Sequence, residues 1–269
     1  MSKLNGMSHS QRKLILLLGD YPFGVLLASL MLTIVGAPLT TKLFAFVPGL
    51  HGHAVLAPLV LVLTLSAAFA MWSSARSRTA VIILGGLVLA LLILSTLFRH
   101  NSLLVINLLA QMTFLTYVIF VVVRVVFSAA LIDGNILCGA ASLYLMIGVL
   151  IGFIFSLIEL LDPGSFTIIP PPGQPIPHPD RLHAGWLIYF SLTTLTTVSM
   201  GDIVPSSDVA RSMVVLEAIM GQILIVLMMA RLVGLHVAQV SSGRNKPLAF
   251  ETSQSPPSWS DQGRHRTSR

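Results

Sequence analysis

Six stretches of this chain, near 22–41, 54–72, 79–98, 103–127, 135–161 and 208–235, are long, apolar and almost free of charge. A helix needs about 20 such residues to cross a bilayer core. In lipid, every backbone N–H and C=O must find its partner within the helix or within a closed barrel. The pattern therefore predicts an all-α membrane protein with six transmembrane helices. Composition points the same way: 10% of the residues are charged and 55% hydrophobic, where a soluble domain carries roughly a quarter charged. Pro38 and Pro58 make the edges of the first two stretches the least defined.

Basic residues orient the spans. With both termini in the cytoplasm, Lys3, Arg12, Lys13, Arg76, Arg78, Arg124, Arg231, Arg244, Lys246, Arg264, Arg266 and Arg269 lie inside, and Lys42, Arg99, Arg181 and Arg211 outside. That excess follows the positive-inside bias of multi-pass proteins. It places the chain in the cell (inner) membrane and assigns the pI near 10.0 to topology rather than to a nucleic-acid-binding face. Residues 1–20 read as a cytoplasmic N-terminal arm, too polar for a cleaved signal peptide. Residues 21–128 read as a four-helix transmembrane region. The fourth stretch holds Asn107, Gln111 and one arginine, Arg124. A voltage sensor needs several regularly spaced charges, each contributing about 2.3 kcal/mol per 100 mV, so no voltage sensor is expected.

The run from Thr193 to Pro205, between the last two apolar stretches, has no place facing lipid. Its threonines and its Gly201-Asp202 pair call for a re-entrant segment, since non-helical backbone at membrane depth must be buried in protein or line a water-filled path. A half-helix near Trp186–Leu195 is expected to dip in, and an extended strand to return. The layout resembles the pore loop of the tetrameric potassium-channel superfamily, whose filter reads Thr-Val-Gly-Tyr-Gly-Asp. Here the matching positions are Thr197, Val198, Ser199, Met200, Gly201 and Asp202. The segment 133–240 is also similar to bacterial two-transmembrane pore-domain ion channels, in which the pore module is often preceded by further plain spans.

The resemblance implies a pore domain over 133–240: outer helix, pore helix, filter and inner helix. Rings of filter carbonyls from four chains would replace the hydration shell of the ion. Thr193, Thr194 and Thr196 would belong to the pore helix, and Asp202 would brace the strand from outside. On the inner helix, Glu217 is expected behind the filter, bonded to threonines of the half-helix. An acid inside a span is a functional hypothesis by default, with a purely stabilising role as the other reading. Gly221 falls at the position of an inner-helix hinge, close packing being the alternative. Gln222, Ile225, Met229 and their helical neighbours form a stripe that lines the cavity or packs in the core. Ser199 and Met200 depart from the potassium pattern. A side chain in a left-handed conformation costs roughly 1–2 kcal/mol, so the strand is expected to relax at Ser199, and Met200 to loosen the cuff that a tyrosine would make.

The implied function is a passive cation channel subunit conducting through a homotetramer in membrane lipid, with potassium as the permeant ion. The alternatives are a weakly selective monovalent cation channel and a non-conducting structural or sensory subunit. Five of the ten acids, Glu159, Asp162, Asp180, Asp202 and Asp208, fall on the outer side, where they would concentrate cations. His178 and His183 nearby read as solvated. No nucleophile–base pair, phosphate loop or metal cluster points to an enzyme or a cofactor. His51-Gly52-His53 lacks the three protein ligands a metal site needs and reads as a solvated loop. Cys138 is the one cysteine, so no intrachain disulfide forms. The proline-rich stretch Ile169–Pro179 reads as an extracellular turret, and 241–269 as a disordered cytoplasmic tail.

Overall fold

The computed structural model describes residues 21–43, 57–71, 75–98, 101–129, 133–170 and 184–244. The expectations for the arm at 1–20, the His51-Gly52-His53 loop, His178, His183 and most of the turret and tail lie outside these residues. The regular structure of the described residues is helical apart from two three-residue strands. In chain order they form α1 (Pro22–Leu43), α2 (Ala57–Ala70), α3 (Ala75–Phe98), α4 (Asn101–Ser128), α5 (Gly134–Leu161), β1 (Phe166–Ile168), α6 (Ala184–Leu195), β2 (Ile203–Pro205) and α7 (Asp208–Arg244).

Within α3, α4, α5 and α7, segments Ser77–Ser95, Ser102–Ser128, Gly134–Leu161 and Asp208–Ala238 are long and apolar enough to cross a membrane. The first two expected spans are shorter in their apolar parts, Pro22–Gly36 and Leu61–Ala70. Fourteen residues of α2 rise only about 21 Å at 1.5 Å each, against a core of about 30 Å. Pro58 sits in its first turn, where a missing N–H costs nothing. At the other end of the chain α7 continues to Arg244, past the boundary expected at 241.

Sequential neighbours pack against each other from α1 to α5, and α1 closes back onto α5, so five helices form a ring. Its centre is filled by Phe23, Leu26 and Leu30 of α1, Val81 and Val88 of α3, Phe114, Leu115 and Val118 of α4, and Leu143 and Met146 of α5. Buried serines of α1 and α2 pair with each other, while Asn107 Oδ1 of α4 is buried without a partner among the described residues. Ser29 and Ser66 share a hydrogen bond of 2.6 Å between α1 and α2. Helix starts are stapled as well: Asp133 accepts from the Ile136 N–H at 2.8 Å, an N-cap. The adjacent Asn135 accepts from the Phe23 N–H of α1 at 2.9 Å.

A second apolar cluster holds the other end of α5. Phe155, Phe166 and Phe190 meet with ring centroids 5.2, 5.7 and 5.6 Å apart, joined by Ile151, Leu187, Ile203 and Ala210. There β1 pairs antiparallel with β2, Phe166 opposite Pro205 and Ile168 opposite Ile203. Glu159 locks the turn into β1, its two oxygens accepting from the N–H groups of Gly164 and Phe166 at 2.9 Å each. The backbone that follows residue 202 is thus tied to the end of α5.

At the opposite end of α7, Arg231 reaches across to the end of α4. Its Nη2 donates to the carbonyls of Val126 and Ala129 at 3.3 Å and to that of Phe127, and its guanidinium lies 4.8 Å from the Phe127 ring centroid. A helix leaves its last carbonyls without partners, and a cation there also meets the negative end of the dipole. Hydrogen bonds to charged groups contribute about 1.5–3 kcal/mol. Arg231→Ala is therefore expected to lower unfolding stability in detergent by about that amount, with Arg231→Lys recovering only part. Wild-type melting of the alanine variant would refute this cap.

Candidate functional site

Helix α6 has 12 residues, about 18 Å of rise, which is too short to cross a bilayer. Leu187, Phe190, Ser191, Thr194 and Leu195 are buried, so one face of α6 is fixed against α5 and α7. The run that follows turns back along its end. The last four carbonyls of a helix lack intrahelical donors, and here the following residues answer three of them. Leu192 O accepts from the Thr196 N–H at 3.1 Å and its hydroxyl at 2.7 Å. Thr193 O accepts from the N–H groups of Val198 and Ser199 at 2.9 and 3.2 Å, and Thr194 O from that of Thr197 at 2.9 Å.

The backbone of the run alternates. Thr197, Ser199 and Gly201 have φ of +62°, +39° and +78°, while none of the intervening residues is positive. Glycine adopts such angles freely, but a β-branched threonine there is an outlier. The strand does not relax at Ser199 as its side chain led one to expect. The paired N–H bonds to Thr193 O hold it in place, and strain of this kind persists only where surrounding structure over-determines it. Every residue from Thr196 to Gly201 is exposed on this single chain, with Val198 and Met200 55% and 64% accessible.

Beyond the run, the N–H of Ile169 donates to Asp202 O at 2.7 Å, and the Asp202 carboxylate interacts with the Tyr189 phenol of α6. Tyr189, on α6, thus lies within electrostatic reach of Asp202 just beyond the run. Sequence reasoning passed over Tyr189 because it is one of three aromatics, with Trp186 and Phe190, in an apolar helix.

Glu217 is 1% exposed and lies behind α6, but its partner is a serine rather than a threonine. The Ser191 hydroxyl reaches both Glu217 Oε1 and, at 2.7 Å, the Gly148 carbonyl of α5. Thr194, expected to bond it, keeps its Oγ1 without a partner, as does Glu217 Oε2. Gly221 stands at a close approach of α7 to α6: a Cβ there would lie 2.6 Å from Leu195 O and 3.0 Å from Leu195 Cδ1. On α5, two glycines let α6 approach as closely: a Cβ at Gly148 would lie 2.7 Å from Leu192 Cδ2, and one at Gly152 2.6 Å from Ile188 Cα. Gln222, Ile225 and Met229 are all exposed, on a helix that the rest of the chain leaves largely uncovered. Only 11% of the apolar segment of α7 is buried, against 44% for α5. No group of three metal-ligating side chains occurs among the described residues.

Residues 179–236, which contain α6, the run and most of α7, match the family model described as an ion channel. No curated protein and no solved structure matches the chain.

Proposed function

From the match of residues 179–236 to the ion-channel family model, we propose a passive cation channel subunit with potassium as the permeant ion. Four copies surround one pore in the cell membrane, each crossing it six times with both termini in the cytoplasm. Helix α6 enters the membrane and stops, and residues 197–202 return as the filter. Rings of carbonyls from Thr197, Val198, Ser199 and Gly201 replace the hydration shell of the ion. Asp202 braces the outer end, and the C-terminal dipole of α6, with Thr193, Thr194 and Thr196, favours a cation below it. The α7 stripe of Gln222, Ile225 and Met229 lines the cavity.

One observation carries this reading: the alternating positive φ at Thr197, Ser199 and Gly201, on a run its own chain leaves uncovered. Two strained side-chain residues at about 1–2 kcal/mol each are hard to explain in a loop that merely connects two helices. The uncovered α7 adds support for assembly, because a helix with Gln222 on an open face needs neighbours or water rather than lipid alone.

A second reading, a weakly selective monovalent cation channel, is favoured by Met200. Its 64% exposed side chain offers no hydrogen bond to fix the width of the ring. Current recordings from purified protein in bilayers, with potassium on one side and sodium on the other, separate the two. A reversal potential near the potassium equilibrium value is expected. Reversal near zero with clear current would leave the weakly selective pore standing. Silence across voltage and pH would turn the assignment toward a structural or sensory subunit.

A further inference from the structure

Three helices meet around α6 in two layers, and each contributes two residues one turn apart. The first layer joins the Gly148 carbonyl of α5, Ser191 of α6 and Glu217 of α7. The second joins Tyr144 of α5, the Leu195 carbonyl of α6 and Gly221 of α7. Residues four apart stack on one helix face, so the pairs 144/148, 191/195 and 217/221 hold a common register.

The second layer completes the end of the half-helix. Of its last four carbonyls, Leu192, Thr193 and Thr194 are answered by N–H groups of the following run. Leu195 O is answered from outside, by the Tyr144 hydroxyl at 2.8 Å, while Gly221 closes the α7 side. We infer that Tyr144 is a positioning residue for ion passage, acting through the Leu195 carbonyl. The inference rests on the pore reading above and extends it to a residue of the outer helix. Tyr144 keeps the Leu195 carbonyl turned toward α5 and fixes the peptide from which Thr196 and Thr197 start. Without the hydroxyl, that carbonyl sits between two helices with no donor, an expensive state for a buried acceptor. Its relief is rotation of the peptide, and this carries Thr196 and Thr197 with it. The inner end of the filter therefore changes shape while the ring packing of the side chain does not.

The test compares wild type and Tyr144→Phe in the same bilayers under potassium and sodium gradients, with Tyr117→Phe on α4 as the control. The potassium-to-sodium permeability ratio of Tyr144→Phe is expected to shift by about two- to tenfold, the range one hydrogen bond commands. Tyr117→Phe is expected to leave it unchanged. Tyr144→Gln, which retains a donor, is expected to move the ratio back toward wild type. A purely structural role would lower thermal stability and leave the ratio alone, and that result would overturn the inference. Equal shifts in both phenylalanine variants would also overturn it. If Tyr144→Phe does not assemble, a ring-fluorinated tyrosine at 144 alters donor strength at constant packing, and an unchanged ratio there counts against the inference. Wild-type silence would instead remove the pore reading itself.

Discussion

Alanine at position 221 is expected to force α7 away from α6 and to lower unfolding stability by about 1–3 kcal/mol per chain, the usual cost of overpacking. The added Cβ would stand 2.6 Å from Leu195 O and 3.4 Å from Leu195 C. These are backbone atoms at the end of a helix, held by Tyr144 on one side and by the body of α6 on the other. They cannot swing aside as the tip of a side chain would. The sign of the effect makes this decisive. A glycine present only to let the helix bend gives up about 1 kcal/mol of helix propensity, which alanine would restore. Unfolding in detergent followed by circular dichroism therefore separates the two roles: destabilisation for a packing glycine, stabilisation for a simple hinge. A more stable Gly221→Ala protein would refute the close seam.

Glu217 gives the second large effect. Its side chain fills space between α6 and α7 at 1% exposure, so Glu217→Ala leaves a cavity, and such truncations cost about 2–5 kcal/mol. Glu217→Gln is expected to stay within about 1 kcal/mol of wild type. The Ser191 hydroxyl has one hydrogen and two acceptors in reach, Gly148 O and Glu217 Oε1. A glutamine amide can donate to Ser191 Oγ while Ser191 donates to Gly148 O, so both contacts are filled without a charge. Thermal unfolding of the two variants against wild type is the measurement. Glutamine as damaging as alanine would show that the site needs the carboxyl itself, and the account of shape plus hydrogen-bond count would fall.

Much of the architecture could be read from the chain. The runs at 79–98, 103–127, 135–161 and 208–235 correspond to α3, α4, α5 and α7, because a long apolar segment has few other stable forms in lipid. A 12-residue helix, Ala184–Leu195, covers the stretch Trp186–Leu195 where a half-helix was expected, and Pro163 and Gly164 mark where α5 stops. The stretch 193–205 advertised itself by its polarity between two apolar helices. Partners across helices were another matter. Ser191, Tyr144 and Tyr189 carry no signal in the sequence: a single serine or tyrosine in an apolar helix looks the same whether it bonds its own turn or a carbonyl 51 residues away. Arg231 read only as one more cytoplasmic charge, although it caps α4.

Sequence by itself determined that this chain builds helices for a membrane and follows one of them with a polar turn-back at 193–205, because hydropathy and the demand for internal hydrogen bonds depend on local composition alone. Tertiary structure alone decided how that interruption is held. The positive φ values of Thr197 and Ser199 oppose the preference of each residue, and the N–H bonds to Thr193 O sustain them. Gly221 became a point of close contact because the Leu195 carbonyl arrives beside it. Such outcomes depend on which helix faces meet and how closely, and those distances are set only when the whole bundle closes.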